Sequence, residues 1–396
     1  MALRPVPEFR LFCLALRDPQ RPEDAEALRR AIGAAPDWKA VIAGARRHRV
    51  AARILAGLQA CGSAEIPDSV IAALRRQAAN AARRDLAQRA EIGRLARAFA
   101  DARLRVLAFK GVVLSAELHS ETFARGARDI DLLVDPNQFG QAHAVLAALG
   151  YRSLQAAQSP RQTAAYRQAI KEVEYVHSGT GAMVELHDRL TDNPTLLPSD
   201  FATLWSERAQ VRVGNAAIPT LARQRLALYL TVHGASHCWE RLLWLVDLAA
   251  ALREPGAIER TLAMADAAGL GSAMRHALVL AHDWLGLAVA ERELAQARAS
   301  RGVMRLDRIL ASHYAGAAWH QMPPHASWRG VARYSFWQRL YRVALRTDFH
   351  YWTSEAKREW FSPADWDVVR LPDRLFFLYP VIRPVGWLVR RWRSRR

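Results

Sequence analysis

The six residues Asp-Ile-Asp-Leu-Leu-Val at positions 129–134 constrain the fold of this chain more than any other stretch. Four apolar residues in this run indicate a buried strand. Residues i and i+2 of a strand project from the same face, so Asp129 and Asp131 are expected to lie side by side. Adjacent carboxylates repel each other, and Mg²⁺ prefers such oxygen ligands. The pattern therefore predicts a metal site for phosphoryl or nucleotidyl transfer; the alternative is a strand that ends at solvent.

The segment upstream predicts a phosphate-binding turn. Residues 105–109 indicate a strand, and the chain then turns at Gly111 into a helix that runs to about Leu118. A glycine between a strand and a helix lets the backbone approach a ligand closely, and the free N–H groups of the helix start bind phosphate. Lys110, one of only four lysines in the chain, adds positive charge. Lys110 and Gly111 are thus predicted to hold nucleotide phosphates; an ordinary turn with a solvated lysine is the alternative.

Two arginines, Arg125 and Arg128, lie between this turn and the aspartate pair. Arginine beside carboxylates either binds a triphosphate or neutralises the carboxylates. We predict the first role for both. Downstream, Asp135 and Pro136 are typical of a helix N-cap and first helical position, so Asp135 is excluded from the metal site.

A third carboxylate follows in a predicted hairpin. Residues 172–177 and 182–187 flank a Ser-Gly-Thr-Gly turn. Glu185 has apolar neighbours on both sides in the second strand and is the candidate third metal ligand, or the base that activates an acceptor hydroxyl. Glu174 and Asp188 compete for this role. The predicted catalytic and metal-binding set is therefore Asp129, Asp131 and Glu185.

The Gly111 turn, Asp129, Asp131 and Glu185 occur in the order that resembles the nucleotidyltransferase superfamily of DNA polymerase beta. More closely, the chain resembles a bacterial family of uncharacterised nucleotidyltransferases, often found with exopolysaccharide or peptide-modification genes. The motifs that carry this resemblance lie at residues 47–51, 109–114, 125–134, 184–187, 233–237 and 245–248. The resemblance implies a Mg²⁺ cofactor (or Mn²⁺), an NTP donor and a sugar, small-molecule, peptide or protein acceptor. Val112 departs from the pattern of the superfamily of DNA polymerase beta, which has a second glycine or a serine at this position of the turn.

Composition sets further bounds. A net charge of +18 and a pI near 10.8 favour anionic partners such as nucleic acid, nucleotides or anionic lipid. An arginine-rich, lysine-poor and alanine-rich composition is also typical of codon bias, so the charge alone is weak evidence for a nucleic-acid partner. Nucleic acid, for example an RNA end, is therefore an alternative that we do not favour. Three widely spaced cysteines argue against a disulfide framework and, with no leader-like segment, predict a cytoplasmic protein.

The predicted fold class is α+β, with a small mixed sheet flanked by helical regions. We expect a helical region at 1–97, a nucleotidyltransferase-like catalytic domain at 98–219, a helical domain at 220–312 and an aromatic, arginine-rich region at 313–396. Helices are predicted at residues 24–32, 38–59 and 69–99, and a further hairpin at 211–218.

Three polar residues in the second helical region need an explanation. His233 and His237 are four residues apart, and we expect them to pack, or to line a cleft against the catalytic domain, rather than to bind zinc. Asp247 lies in an apolar helix and needs a partner, either Arg241, a histidine or the substrate.

The C-terminal segment 375–396 is apolar and aromatic and then rich in arginine. It either contacts an anionic membrane surface or packs on the body with a frayed basic tail, and we favour packing. The leading function is Mg²⁺-dependent transfer of a nucleoside monophosphate from an NTP to a hydroxyl or phosphate acceptor (EC 2.7.7-like). The alternatives are a non-catalytic nucleotide-binding or regulatory module and a membrane-surface component of polysaccharide assembly.

Overall fold

A five-stranded mixed sheet carries the predicted site residues. The computed structural model describes residues 7–17, 21–119, 125–155, 159–314, 319–320 and 328–360, together with 366, 369, 371–379, 381–383, 385–386 and 389. The strands of the sheet are β1 (Val106–Ala108), β2 (Asp129–Val134), β3 (Tyr151–Ser153), β4 (Glu172–His177) and β5 (Met183–His187), and β6 (Ala209–Val213) and β7 (Ala216–Thr220) form a separate hairpin.

Helices make up most of the remaining described chain, so the predicted α+β class is confirmed. Before and within the sheet they are α1 (Pro7–Leu16), α2 (Pro22–Gly33), α3 (Trp38–His48), α4 (Ala51–Cys61), α5 (Asp68–Asp101), α6 (Gly111–Leu118), α7 (Phe139–Ala148), α8 (Pro160–Ala169) and α9 (Phe201–Ser206). After it they are α10 (Arg223–Ser236), α11 (Leu242–Ala251), α12 (Ala257–Ala267), α13 (Gly271–Leu285), α14 (Glu291–Ala299), α15 (Arg301–Tyr314), α16 (Trp328–Val343) and α17 (Phe349–Trp360).

The strand order β1-β2-β5-β4-β3 places the two acidic strands next to each other. Strands β2 and β5 are parallel, and the other neighbours are antiparallel. The parallel register sets Asp131 opposite Glu185, and the antiparallel register of β4 sets Glu172 opposite His187. Because paired residues point to the same face, these four side chains project from one face of the sheet.

The two faces of the sheet belong to different hydrophobic clusters. Ile130, Leu132 and Val184 point away from the acids and pack with Leu95 of α5 and Leu146 of α7. On the acidic face, Leu107, Phe109 and Leu133 join a larger cluster built from α1–α4 and α10–α13. The helical regions before and after the sheet therefore share one core, which covers the acidic face.

The predicted helix over 38–59 is wrong, because the chain forms two helices, α3 and α4, that separate at Arg49. Arg49 has a φ of +57°, and Val50 N donates to Ala45 O at 3.1 Å, as at a helix C-terminus. Burial of His48 favours this break. Leu242 N donates to His48 Nδ1 at 3.1 Å, and His48 Nε2 lies 2.9 Å from Trp319 O.

The described part of the C-terminal region packs on the body of the protein. Trp366, Phe376 and Tyr379 form a small cluster against Ala165 and Tyr166 of α8. This packing agrees with the favoured interpretation of the segment, while the basic residues 390–396 lie outside the described residues. Across the described chain, no helix is both long enough and apolar enough to cross a bilayer.

One largely buried carboxylate on α6 makes stability depend on pH. Glu117 Oε2 has no hydrogen-bond partner in the described structure, and burial raises the pKa of Glu117 to about 7, with Arg223 opposing the shift. The pKa in the unfolded chain is about 4.3. Because the folded state binds the proton more tightly, stability falls as pH rises from the unfolded pKa to the folded pKa.

Glu117→Gln is therefore expected to stabilise the protein relative to wild type at pH 8. The gain in free energy of unfolding at pH 8 should exceed the gain at pH 5 by about 1–3 kcal/mol. The amide keeps the shape of the side chain and removes the charge that becomes costly at high pH. Urea denaturation at the two pH values measures the difference. Glu65→Gln, at an exposed loop position, is the control. An equal effect of Glu117→Gln at both pH values would contradict the assignment.

Candidate functional site

Three side chains on the acidic face of the sheet have the spacing of a metal site. Asp131, Glu185 and His187 each offer one ligand atom, and these atoms lie within 4.8 Å of one another. Among the described residues, this is the group of acidic, histidine or cysteine side chains with such spacing. Asp129 lies two residues before Asp131 on the same face and lines the same cavity of about 300 Å³. The i, i+2 pattern of the strand therefore places both aspartates as expected.

Lys110 is bound to these acids. Its Nζ forms an ion pair with Asp131 and lies 3.9 Å from Glu185 Oε2. Burial opposes the charged ammonium, but the Asp131 carboxylate raises the pKa of Lys110 well above its ordinary value. Burial likewise opposes ionisation of Asp131, but the ammonium holds the pKa of Asp131 below its usual range. Lys110 thus already supplies a positive charge between two carboxylates, where we had expected it to hold nucleotide phosphates.

His187 links the acids and was not assigned a role from sequence. Its ring is fully buried, and Nε2 lies 3.3 Å from Asp131 Oδ1 and 3.4 Å from Glu185 Oε2. On the other side of the ring, Nδ1 lies 3.4 Å from Glu172 Oε2. Burial opposes protonation, but the hydrogen bonds with Asp131 and Glu185 raise the pKa of His187. The signal that could have found His187 is its position two residues after Glu185, on the same face of the strand.

Glu185 is the one of the three candidate third carboxylates that lines the described cavity. Burial raises the pKa of Glu185 to about 7, although the hydrogen bond with His187 opposes this shift. Glu174 is exposed on β4, and Asp188 lies 2.8 Å from Arg189 Nη1. The burial of Glu185 beside Asp131 explains why this part of the sheet requires positive charge.

The Gly111 turn sits against the start of β2, and α6 begins and ends where the sequence predicts. Gly111 has a φ of +65°, and a Cβ at this position would lie 3.2 Å from the carbonyl oxygen of Asp129. A larger residue would therefore be strained and would press on the strand that carries the aspartates. Lys110 is the N-cap of α6, so the turn positions the lysine as well.

Arg125 does not have the geometry that we expected of a phosphate ligand. Its Nε and Nη2 donate to the Asp247 carboxylate at 3.1 and 2.5 Å, and its Nη1 donates to Gly111 O at 2.9 Å. His119 Nε2 lies 2.8 Å from Asp247 Oδ1. Asp247 and Arg125 are both buried. The partner of Asp247 is therefore Arg125 together with a histidine, and this cluster ties α11 to α6 and to the chain segment before β2.

Aromatic and imidazole rings from α10 and α11 cover the acids. The Trp244 ring centroid lies 5.0 Å from that of His233 and 5.0 Å from that of His237, and all three residues line the acidic cavity. Burial lowers the pKa of His233 well below its ordinary value, so this ring is neutral, whereas His237 is exposed. Of the two roles expected for the histidines, packing or lining a cleft, the structure shows the second.

Helix α10 ends at Ser236, so His233 lies within the helix and His237 is its C-cap. Cys238 and Trp239 then adopt left-handed φ values of +50° and +52°. The buried Trp239 ring packs against Gly234, where a Cβ would lie 2.2 Å from a ring carbon. Glycine at position 234 therefore permits the tight reversal that brings α11 and Trp244 over the site.

Arg128 is exposed and lines a second cleft, of about 800 Å³, beside the acidic cavity. Arg49 and Arg241 line both spaces, so the two are contiguous. Of the four predicted phosphate ligands, Lys110, Gly111 and Arg125 line the acidic cavity, and Arg128 lies in the neighbouring cleft.

Comparison with known proteins assigns this arrangement to a family. No curated protein matches the chain. A family model described as "uncharacterised nucleotidyltransferase" matches residues 34–286, which is more than half of the 396 residues and includes every residue of the acidic cavity. The chain therefore belongs to this family of uncharacterised nucleotidyltransferases.

Proposed function

We propose that the protein is a metal-dependent nucleotidyltransferase that moves a nucleoside monophosphate from an NTP to a hydroxyl or phosphate acceptor. The observation that carries this proposal is the parallel pairing of β2 with β5, which sets Asp131 beside Glu185 in a cavity of a nucleotidyltransferase-family chain. The order of turn, aspartate pair and third carboxylate also supports a wider relation to the superfamily of DNA polymerase beta.

The carboxylates that line the cavity are the type of ligand that a hard divalent cation takes. Asp129, Asp131 and Glu185 would hold Mg²⁺, with Mn²⁺ as the alternative, because carboxylate oxygens are the ligands that these ions prefer. The ion pair of Lys110 with Asp131 means that the metal would compete with the ammonium for this carboxylate. When bound, the metal would neutralise charge on the triphosphate and activate the attacking oxygen.

The side chains around the acids have separate tasks. His187 orients Asp131 and Glu185 through its Nε2, and Glu185 completes the ligand set or accepts the proton of the acceptor hydroxyl. The open backbone of the Gly111 turn lets donor phosphates approach α6, whereas the ammonium of Lys110 neutralises Asp131. Trp244 and the neutral His233 exclude water from one side of the cavity.

Calorimetric titration with each of the four NTPs tests the proposal. In the presence of Mg²⁺ the wild-type protein is expected to bind at least one NTP, and Asp129→Asn/Asp131→Asn is expected to bind it about 100-fold more weakly. In EDTA the two proteins should bind equally weakly. Glu259→Gln, at an exposed position on α12, is the control. Failure of the folded wild-type protein to bind any NTP would refute the transferase function.

A second candidate is a nucleotide-binding module without catalysis. The Lys110 ammonium occupies the space between Asp131 and Glu185, and Val112 replaces the second small residue of the turn. The test adds phosphorylated and hydroxyl acceptors to the protein with Mg²⁺ and NTP. If the protein binds NTP but releases no pyrophosphate with any acceptor, this candidate is selected over the transferase.

A further inference from the structure

A second cleft next to the acidic cavity carries an excess of positive charge. Its cationic lining, which we call the arginine cleft, consists of Lys39, Arg46, Arg47, Arg49, Arg128 and Arg241. The described lining contains one carboxylate, Asp37, which caps α3 by accepting hydrogen bonds from Lys39 N at 2.9 Å and Ala40 N at 3.2 Å. Six cationic side chains therefore line a cleft of about 800 Å³, and the one carboxylate of the described lining already caps α3.

Among the described residues, no carboxylate lies within ion-pair distance of the arginines of this cleft. In the part of the chain that the structure describes, Arg46, Arg47, Arg49, Arg128 and Arg241 form no ion pair with a carboxylate, and the buried Nε of Arg47 has no hydrogen-bond partner. Burial and then the charge of Arg241 lower the pKa of Arg49 to about 10. The positive charges of these guanidinium groups repel one another, and an anion bound between them would relieve the repulsion. Their planar donors match phosphate oxygens.

Three cations that line the acidic cavity but not the arginine cleft are paired with carboxylates of the protein. Lys110 pairs with Asp131, Arg125 with Asp247, and Lys171 with Glu172. The arginines that pair with no described carboxylate therefore line the arginine cleft, next to the acids. Two of them, Arg49 and Arg241, also line the acidic cavity.

We propose that the arginine cleft binds phosphate groups of the acceptor, so that the molecule that receives the nucleotide is a phosphate-bearing anion. This inference rests on the proposed transferase function and names the substrate class of the same site. Donor phosphates must reach the Gly111 turn and the acids in the acidic cavity. Arg46, Arg47 and Arg128 line the arginine cleft but not the acidic cavity. Apart from the imidazole of His320, no aromatic ring is among the described lining residues, so the cleft is built for charge rather than for a nucleobase.

Two titrations test the proposal. The first uses inorganic pyrophosphate in EDTA, which removes the metal-dependent donor site. Arg46→Gln/Arg128→Gln changes two exposed residues on different parts of the chain, and it is expected to weaken pyrophosphate binding at least about 10-fold through lost charge-assisted contacts. The control Arg292→Gln/Arg301→Gln removes two exposed charges at α14 and α15 and should bind within about twofold of wild type, because remote surface charges are screened.

The second titration uses an α,β-methylene NTP with Mg²⁺, which cannot be turned over. Arg46→Gln/Arg128→Gln is expected to bind this analogue within about twofold of wild type, since the donor occupies the acidic cavity. Equal weakening of both ligands would assign the cleft to the donor and overturn the inference. Pyrophosphate binding that is absent in wild type, or unchanged in the variant, would also overturn it. A wild-type protein that binds pyrophosphate but no Mg·NTP would instead refute the transferase function, and the acceptor role with it.

Discussion

Asp247→Asn is expected to lower the free energy of unfolding by about 3–5 kcal/mol, because it leaves the buried Arg125 guanidinium without its counterion. The Asp247 side chain accepts from two nitrogens of Arg125 and lies 2.8 Å from His119 Nε2. The amide keeps the volume of the carboxylate, so the loss reports charge and hydrogen bonding rather than a cavity. Urea denaturation followed by circular dichroism measures the change.

A double-mutant cycle separates the ion pair from general damage. Arg125→Leu/Asp247→Leu is expected to be less destabilised than the sum of Arg125→Leu and Asp247→Leu, because the double variant leaves no unpaired buried charge. Asp101→Asn, at the exposed end of α5, should change stability by no more than about 0.5 kcal/mol. An additive cycle, or a loss for Asp247→Asn no larger than that of the control, would contradict the assigned role of this pair.

Lys110→Met is expected to destabilise the protein in EDTA by about 3–5 kcal/mol and to make Mg²⁺ more stabilising than it is for wild type. In EDTA the variant leaves Asp131 buried beside Glu185 without the ammonium that compensates it. With Mg²⁺ present, the metal no longer competes with a protein cation for the same oxygens. Urea denaturation of both proteins in EDTA and in excess Mg²⁺ gives the four free energies that the comparison needs.

Lys357→Met is the matched control for this experiment. Lys357 is exposed on α17, and its replacement should change neither the stability in EDTA nor the effect of Mg²⁺. If Mg²⁺ stabilises Lys110→Met and wild type by the same amount, Lys110 does not occupy the metal position. If Lys110→Met is as stable as wild type in EDTA, the ion pair with Asp131 contributes no stability.

Local patterns in the sequence were sufficient for the elements that carry the acids. The alternation in β2 placed Asp129 and Asp131 on one face, and the hairpin of β4 and β5 was recognisable from its turn. These features depend on backbone geometry over a few residues, which side-chain period and turn residues report directly. The break at Arg49 was missed, because burial of His48 against Leu242 and Trp319 cannot be seen within the helix itself.

The sequence by itself determined the α+β class, the aspartate pair, the Gly111 turn and Glu185 as a strand carboxylate. Only the tertiary structure decided which charges compensate each other. Arg125 and Asp247 are 122 positions apart, and the arginine cleft joins residues from α3, from the segment before β2 and from the start of α11. Ion pairing depends on distance and burial in space, and neither quantity is encoded in local periodicity. For this reason the acids could be found from their pattern, whereas the partners of Lys110, Arg125 and His187 required the fold.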